Sequence, residues 1–251
     1  MTSSPVQISL RATAWIAFFA VILAAWAYLF MMARMAGVDV IGRPVGMNMM
    51  PLTPFGALFP MWAAMMAAMM LPTMVPTLRD YERLMISADG TRAGWVGVLL
   101  GYFIVWIGFA ALIAALQLAL IAGQVVDTLG ISTSGFVAAG LLIAVGLYQF
   151  TRAKEVCHGI CHAPMTYFLG HWRTGFGGGL RMGLALGAYC VGCCWGFMVL
   201  GFVGGVMSLL WMGLATLFMV IEKLPEIGHR VTRPGGVLLI AAGLAVAAMQ
   251  L

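Results

Sequence analysis

Seven apolar stretches, each near the length of a membrane crossing, constrain this chain more than any single motif in it. A bilayer core about 30 Å thick takes ~20 residues of helix. Stretches approaching that length run near 14–32, 56–75, 95–122, 135–150, 180–200, 206–221 and 235–249. The fourth, sixth and seventh are the shortest. Only 8% of residues are charged and 63% are apolar, against about 25% charged in an ordinary soluble domain. No water-soluble fold of this size could hide that much apolar surface. The expected fold is all-α: one polytopic transmembrane helical bundle of about seven spans, occupying residues 1–251 with the lipid bilayer as its solvent. The first stretch has no clear cleavage end and reads as a retained span. A net charge of +5 is small, and its basic residues sit between apolar stretches, so nucleic acid is not an expected partner.

Those basic residues report orientation. With a cytoplasmic N-terminus, the inner side collects Arg11, Arg79, Arg83, Arg92, Arg152, Lys154, Arg173, Arg181, Lys223, Arg230 and Arg233, leaving only Arg34 and Arg43 outside. Seven spans then place the C-terminus outside. Glu222 and Lys223 read as a pair snorkelling at the cytoplasmic end of the sixth span. The run Gly175–Gly179 reads as a turn before the fifth, and no repeat of 20–50 residues stands out.

All five cysteines fall in two short clusters. In the fifth span, Cys190, Cys193 and Cys194 sit at i, i+3 and i+4, which places their sulfurs on one helix face near mid-membrane. In the other cluster, Cys157 precedes Cys161 by one turn and His158 precedes His162, on adjacent strips at the cytoplasmic end of the fourth span. Thiolate and imidazole are ligands for soft or borderline metals, so these seven residues are the candidate metal ligands. Their plainer roles are core packing for the buried thiols and interfacial polarity for the first cluster. A bound cation would remove the penalty of a thiolate in hydrocarbon. No cysteine falls in an external loop, where an oxidising compartment would favour disulfides. Covalent c-type haem needs Cys-x-x-Cys-His, and a zinc protease needs His-Glu-x-x-His; neither spacing occurs. Pro164 should end the helix that carries the first cluster.

The segment from Tyr148-Gln149 through Cys157-x-x-x-Cys161-x-x-Pro164, then Cys190-x-Gly192-Cys193-Cys194-Trp195, Trp211-Met212 and Glu222-Lys223, is similar to a bacterial family of predicted metal-binding integral membrane proteins. Met69-Met70-x-Pro72 extends the resemblance, which covers roughly residues 60 to 224. It implies a bacterial inner (plasma) membrane location and metal binding, and leaves the activity open. His158 and His162 depart from the family pattern, so they supplement a site that the cysteines define.

The second span adds thioethers. Met61, Met65 and Met69 step by four and form one stripe, with Met66, Met70 and Met74 beside it. Nine of the 21 methionines lie between Met47 and Met74. Methionine also fills cores, but neutral thioethers can pass Cu(I) without burying anions. The leading expectation is therefore a membrane protein that handles or transports a soft metal, Cu(I) first and zinc second. Met47, Met49 and Met50 would capture it, the Met stripe would conduct it against the fifth span, and the cysteines would receive it. A metallochaperone or another subunit of a membrane complex would be its partner. Two alternatives stand beside this: a membrane thiol oxidoreductase using Cys190, Cys193 and Cys194, and an assembly subunit with a structural metal. No catalytic residue is assigned.

Overall fold

Proline and glycine divide the apolar stretches into more helices than spans. The computed structural model describes residues 5–46, 54–224 and 227–251. Its elements run α1 (Pro5–Met35), α2 (Phe55–Met70), a 3-10 turn (Pro72–Met74), α3 (Val75–Ser87), α4 (Arg92–Ala122), α5 (Gly135–Tyr148), α6 (Arg152–His162), α7 (Pro164–His171), α8 (Gly175–Val199), α9 (Gly201–Gly204), α10 (Leu209–Glu222) and α11 (Gly228–Ala248). The all-α bundle is as expected, and each of the seven stretches falls on a helix. Met47, Met49 and Met50 lie outside the described residues.

Five helical segments among the described residues are long and apolar enough to cross a bilayer: Leu10–Met35, Phe55–Ser87, Arg92–Ala122, Gly175–Gly204 and Arg230–Ala248. The expected fourth and sixth spans fall short by themselves. α5 and α10 have 14 residues each, about 21 Å at 1.5 Å per residue. α5 reaches spanning length only together with α6, from which it is bent by 65°. The bend follows from local sequence: Thr151 leaves the helical conformation and caps α6, its hydroxyl accepting from the Lys154 N–H at 3.3 Å. The run at Gly175–Gly179 is not a loop but the first turn of α8, with only Gly175 at a positive φ of 73°.

The closest helix pair is α4 with α8. A Cβ at Gly97 or Gly101 would strike the carbonyls of Phe176 and Leu180, and one at Gly179 or Gly183 would strike those of Gly94 and Val98. Small residues on both helices let the backbones touch, the usual source of tight association where lipid offers no hydrophobic drive. α4, rather than α2, therefore lies along α8. α2 packs chiefly on α1 and α4, and α5 packs on α11.

At one end of the bundle two loops share one design. Asp39 Oδ1 accepts from the N–H groups of Ile41 (2.9 Å) and Arg43 (2.8 Å), and Asp127 Oδ1 accepts from those of Leu129 (2.9 Å) and Ile131 (2.8 Å). Each Val-Asp-x-x-Gly turn closes on a glycine with positive φ, Gly42 and Gly130. The recurrence is too widely spaced for a short-period repeat to reveal it. Ser208 joins them by donating to the Ile41 carbonyl at 2.8 Å, while the Ser132 N–H donates to the Phe202 carbonyl at 2.9 Å. The Gln250 side chain lies against Gly135 at this same end. At the other end Arg11 and Arg92 both pair with Glu82, at 3.0 and 2.7 Å. The start of α1 and the end of α11 thus lie at opposite ends of the bundle.

Candidate metal centre

Because α6 bends 65° away from α5 and packs on α8, Cys161 of the first cluster meets the cysteines of the second. The sulfurs of Cys161, Cys190 and Cys193 lie within 4.8 Å of one another. Metal–thiolate bonds near 2.3 Å, arranged trigonally, would hold sulfurs ~4 Å apart, so the trio fits a small soft ion. Cys193 Sγ is 3.8 Å from Cys161 Sγ and 3.2 Å from Cys194 Sγ. All four of these thiols are at most 6% exposed, and none of the five cysteines is in a disulfide. The i, i+3 spacing on α8 and a single cysteine from α6 supply this set.

Polar groups with opposite charges surround it. Lys223 Nζ donates to Cys190 Sγ at 2.9 Å and to Thr73 Oγ1 at 3.1 Å. The Tyr102 hydroxyl lies 3.0 Å from Cys190 Sγ and 3.2 Å from Thr73 Oγ1, and the Lys223 ammonium stands 5.9 Å from the centre of the Tyr102 ring. A second cation, Lys154, reaches Glu222 at 2.8 Å and donates to the Cys193 carbonyl at 2.8 Å. Thr232 of α11 donates to Glu222 Oε1 at 2.9 Å. Lys154 and Glu222 are each 1% exposed and Lys223 is 5% exposed.

This overturns the snorkelling role expected for Glu222 and Lys223. α10 stops at Glu222, short of the full span, so its end lies inside the protein beside the thiols. Lys154 and Lys223 also leave the set of basic residues that face the surface. Buried ionisable groups among apolar helices persist only with partners, and here the partners are the ion pair and the thiol cluster.

The remaining expected ligands separate. Cys157 is half-buried, and its sulfur rests against Gly192, where a Cβ would come within 2.7 Å. It is outside the close trio. His158 and His162 lie with ring centroids 5.4 Å apart and planes tilted by 30°, on the strip of α6 that faces the α10–α11 junction, where Gly228 sits against His162. His158 is 8% exposed and neither of its ring nitrogens has a hydrogen-bond partner. One helix therefore does not present Cys157, His158, Cys161 and His162 to a single ion. Met61, Met65 and Met69 are buried on α2, but the face-to-face packing of that stripe on α8 does not occur, because α4 holds the place along α8. α2 touches the site through its end: the Met70 carbonyl accepts from Thr73 Oγ1 at 2.8 Å.

Sequence reasoning did not find Thr73, Tyr102 and Lys154 as neighbours of the thiols. For Lys154 a signal existed, a lone Lys three residues before Cys157. Thr73 and Tyr102 carried none, because a single hydroxyl in an apolar helix is ordinary.

A protein-family model described as PpoB2: Copper chaperone matches residues 59–246. No curated protein and no solved structure matches the chain.

Proposed function

This chain belongs to the PpoB2 copper chaperone family, and from that premise we propose that it is an integral membrane carrier that holds Cu(I) as cargo and passes it to a partner. The observation that carries the reading is the convergence of Cys161, Cys190 and Cys193 within 4.8 Å, drawn from two helices. Thiolates favour Cu(I) among biological cations, and a three-sulfur set suits it better than zinc, whose structural sites take four ligands. Cys194, 3.2 Å from Cys193, is an adjacent spare thiol.

Charge compensation supports the same choice. Two or three thiolates around a monovalent ion leave net negative charge in a poorly solvated interior, where it is expensive. Lys223, in contact with Cys190, supplies the balancing cation. Lys154 does not, because Glu222 already neutralises it. The purified full chain, reduced and in detergent, should retain Cu(I) at one ion per chain against a weak Cu(I) chelator. A chain that retains no copper, or that takes up Zn(II) in preference to Cu(I), would overturn the reading.

Orientation is part of the proposal. The surface arginines Arg79, Arg83, Arg92, Arg152, Arg173, Arg181, Arg230 and Arg233, with Arg11, would face the cytoplasm of a bacterial inner membrane, and the Asp39 and Asp127 loops would face out. A reporter fused to the C-terminus should then be active only outside. Activity only in the cytoplasm would reverse the side from which Cys157 and the thiol cluster are reached.

A further inference from the structure

The thiol trio and its neighbour Cys194 are buried, at most 6% exposed. A carrier must nevertheless load and unload, and ligands on another protein cannot reach sulfurs in that position. Cys157 is the one thiol that stands at the border. It is half-buried, one helical turn from Cys161 and so about 6 Å from it along α6. Its sulfur occupies the notch left by Gly192, the residue between Cys190 and Cys193. Its neighbours Arg152, Glu155 and Val156 are exposed, and the two charged ones mark this edge of α6 as one that meets water.

Resting on the copper-carrier reading above, we propose that Cys157 is the transfer thiol: it exchanges Cu(I) with the thiol or thioether ligands of a soluble carrier and relays it to the buried trio. The relay is a ligand exchange without redox change. The Cys157 sulfur loses its proton to water and forms a Cu–S bond while one donor ligand dissociates. Cys161, Cys193 and Cys190 then form the next Cu–S bonds in turn, each thiol losing its proton as it binds. The donor's last ligand and finally Cys157 leave, and Cys157 takes back a proton. Copper remains Cu(I) throughout, and the net protons released equal the thiols newly bound less the donor thiolates that take up a proton on leaving. Unloading is the reverse.

The relay predicts a division between capacity and rate. Cys157→Ser in the full-length chain should keep wild-type Cu(I) stoichiometry. Loading from Cu(I)–glutathione and release to bathocuproine disulfonate should both slow about tenfold or more, because a tethered thiol acts at high effective concentration. Gly192→Ala, which evicts the Cys157 sulfur from its notch while keeping Cys157 in the chain, should slow both rates in the same way. Unchanged rates in Cys157→Ser overturn the relay. Lost copper stoichiometry in that variant also overturns it, by making Cys157 a resident ligand. Wild-type protein gives an independent check: brief iodoacetamide treatment of the metal-free native chain should alkylate Cys157 first and slow loading. First alkylation at a buried cysteine would count against the proposal. A wild-type chain that holds no Cu(I) at all instead fails the carrier reading itself.

Discussion

Cys161→Ser should weaken Cu(I) binding by more than about 100-fold, since even groups one shell removed from a metal are worth 10–100-fold in affinity. The residue is informative because it is the sole contribution of α6 to the close trio. Removing it leaves Cys190 and Cys193 on one helix without the third sulfur of the close trio. Cys194→Ser, whose sulfur lies behind Cys193 at 3.2 Å, should have a much smaller effect. Competition between the purified variants and a chromogenic Cu(I) chelator measures both. Wild-type affinity in Cys161→Ser would detach α6 from the site and leave the α8 cysteines as a separate feature.

Breaking the Lys154–Glu222 pair should be the most destabilising polar change in the protein. Each partner is 1% exposed, and removing one member of a buried pair costs about 3–5 kcal/mol because the other is left uncompensated. Glu222→Ala would strand the Lys154 ammonium beside the Cys193 carbonyl, which accepts its hydrogen bond at 2.8 Å, and would free Thr232 of α11. Lys154→Met alone should cost a similar amount. The double change Lys154→Met with Glu222→Met should recover most of the loss, since the pair itself is replaced by apolar contacts. Unfolding by increasing SDS in mixed micelles gives the comparison. Single variants as stable as the wild type would mean that water reaches the pair.

The two expectations are separable. The ion pair ties the start of α6 and the end of α10 to the body of α8, while the thiols would provide the ligands. Copper should still bind to the double variant, because neither Lys154 nor Glu222 is a close neighbour of Cys190; that contact belongs to Lys223 and Tyr102.

What the sequence determined by itself was everything that depends on local spacing and solvent preference. Apolar length specified helices, and each expected stretch fell on one, although only five helical segments among the described residues are long and apolar enough to cross a bilayer. The i, i+3, i+4 spacing placed Cys190, Cys193 and Cys194 on a single face, and Pro164 marked the end of α6, which stops at His162. Soft ligands in two clusters indicated metal chemistry. Tertiary structure decided the rest, because it depends on contacts between residues far apart in the chain. The 65° bend after α5 brought Cys161 to α8 and set its sulfur beside those of Cys190 and Cys193. The glycine seam gave the long face of α8 to α4, so the Met stripe on α2 could not lie against the cysteines. The short length of α10 drew Glu222 and Lys223 inside, to the ion pair and to Cys190. A charge at the end of an apolar segment reads the same in sequence whether it meets water or a partner. The length of the helix relative to its neighbours settles which, and that is a property of the bundle.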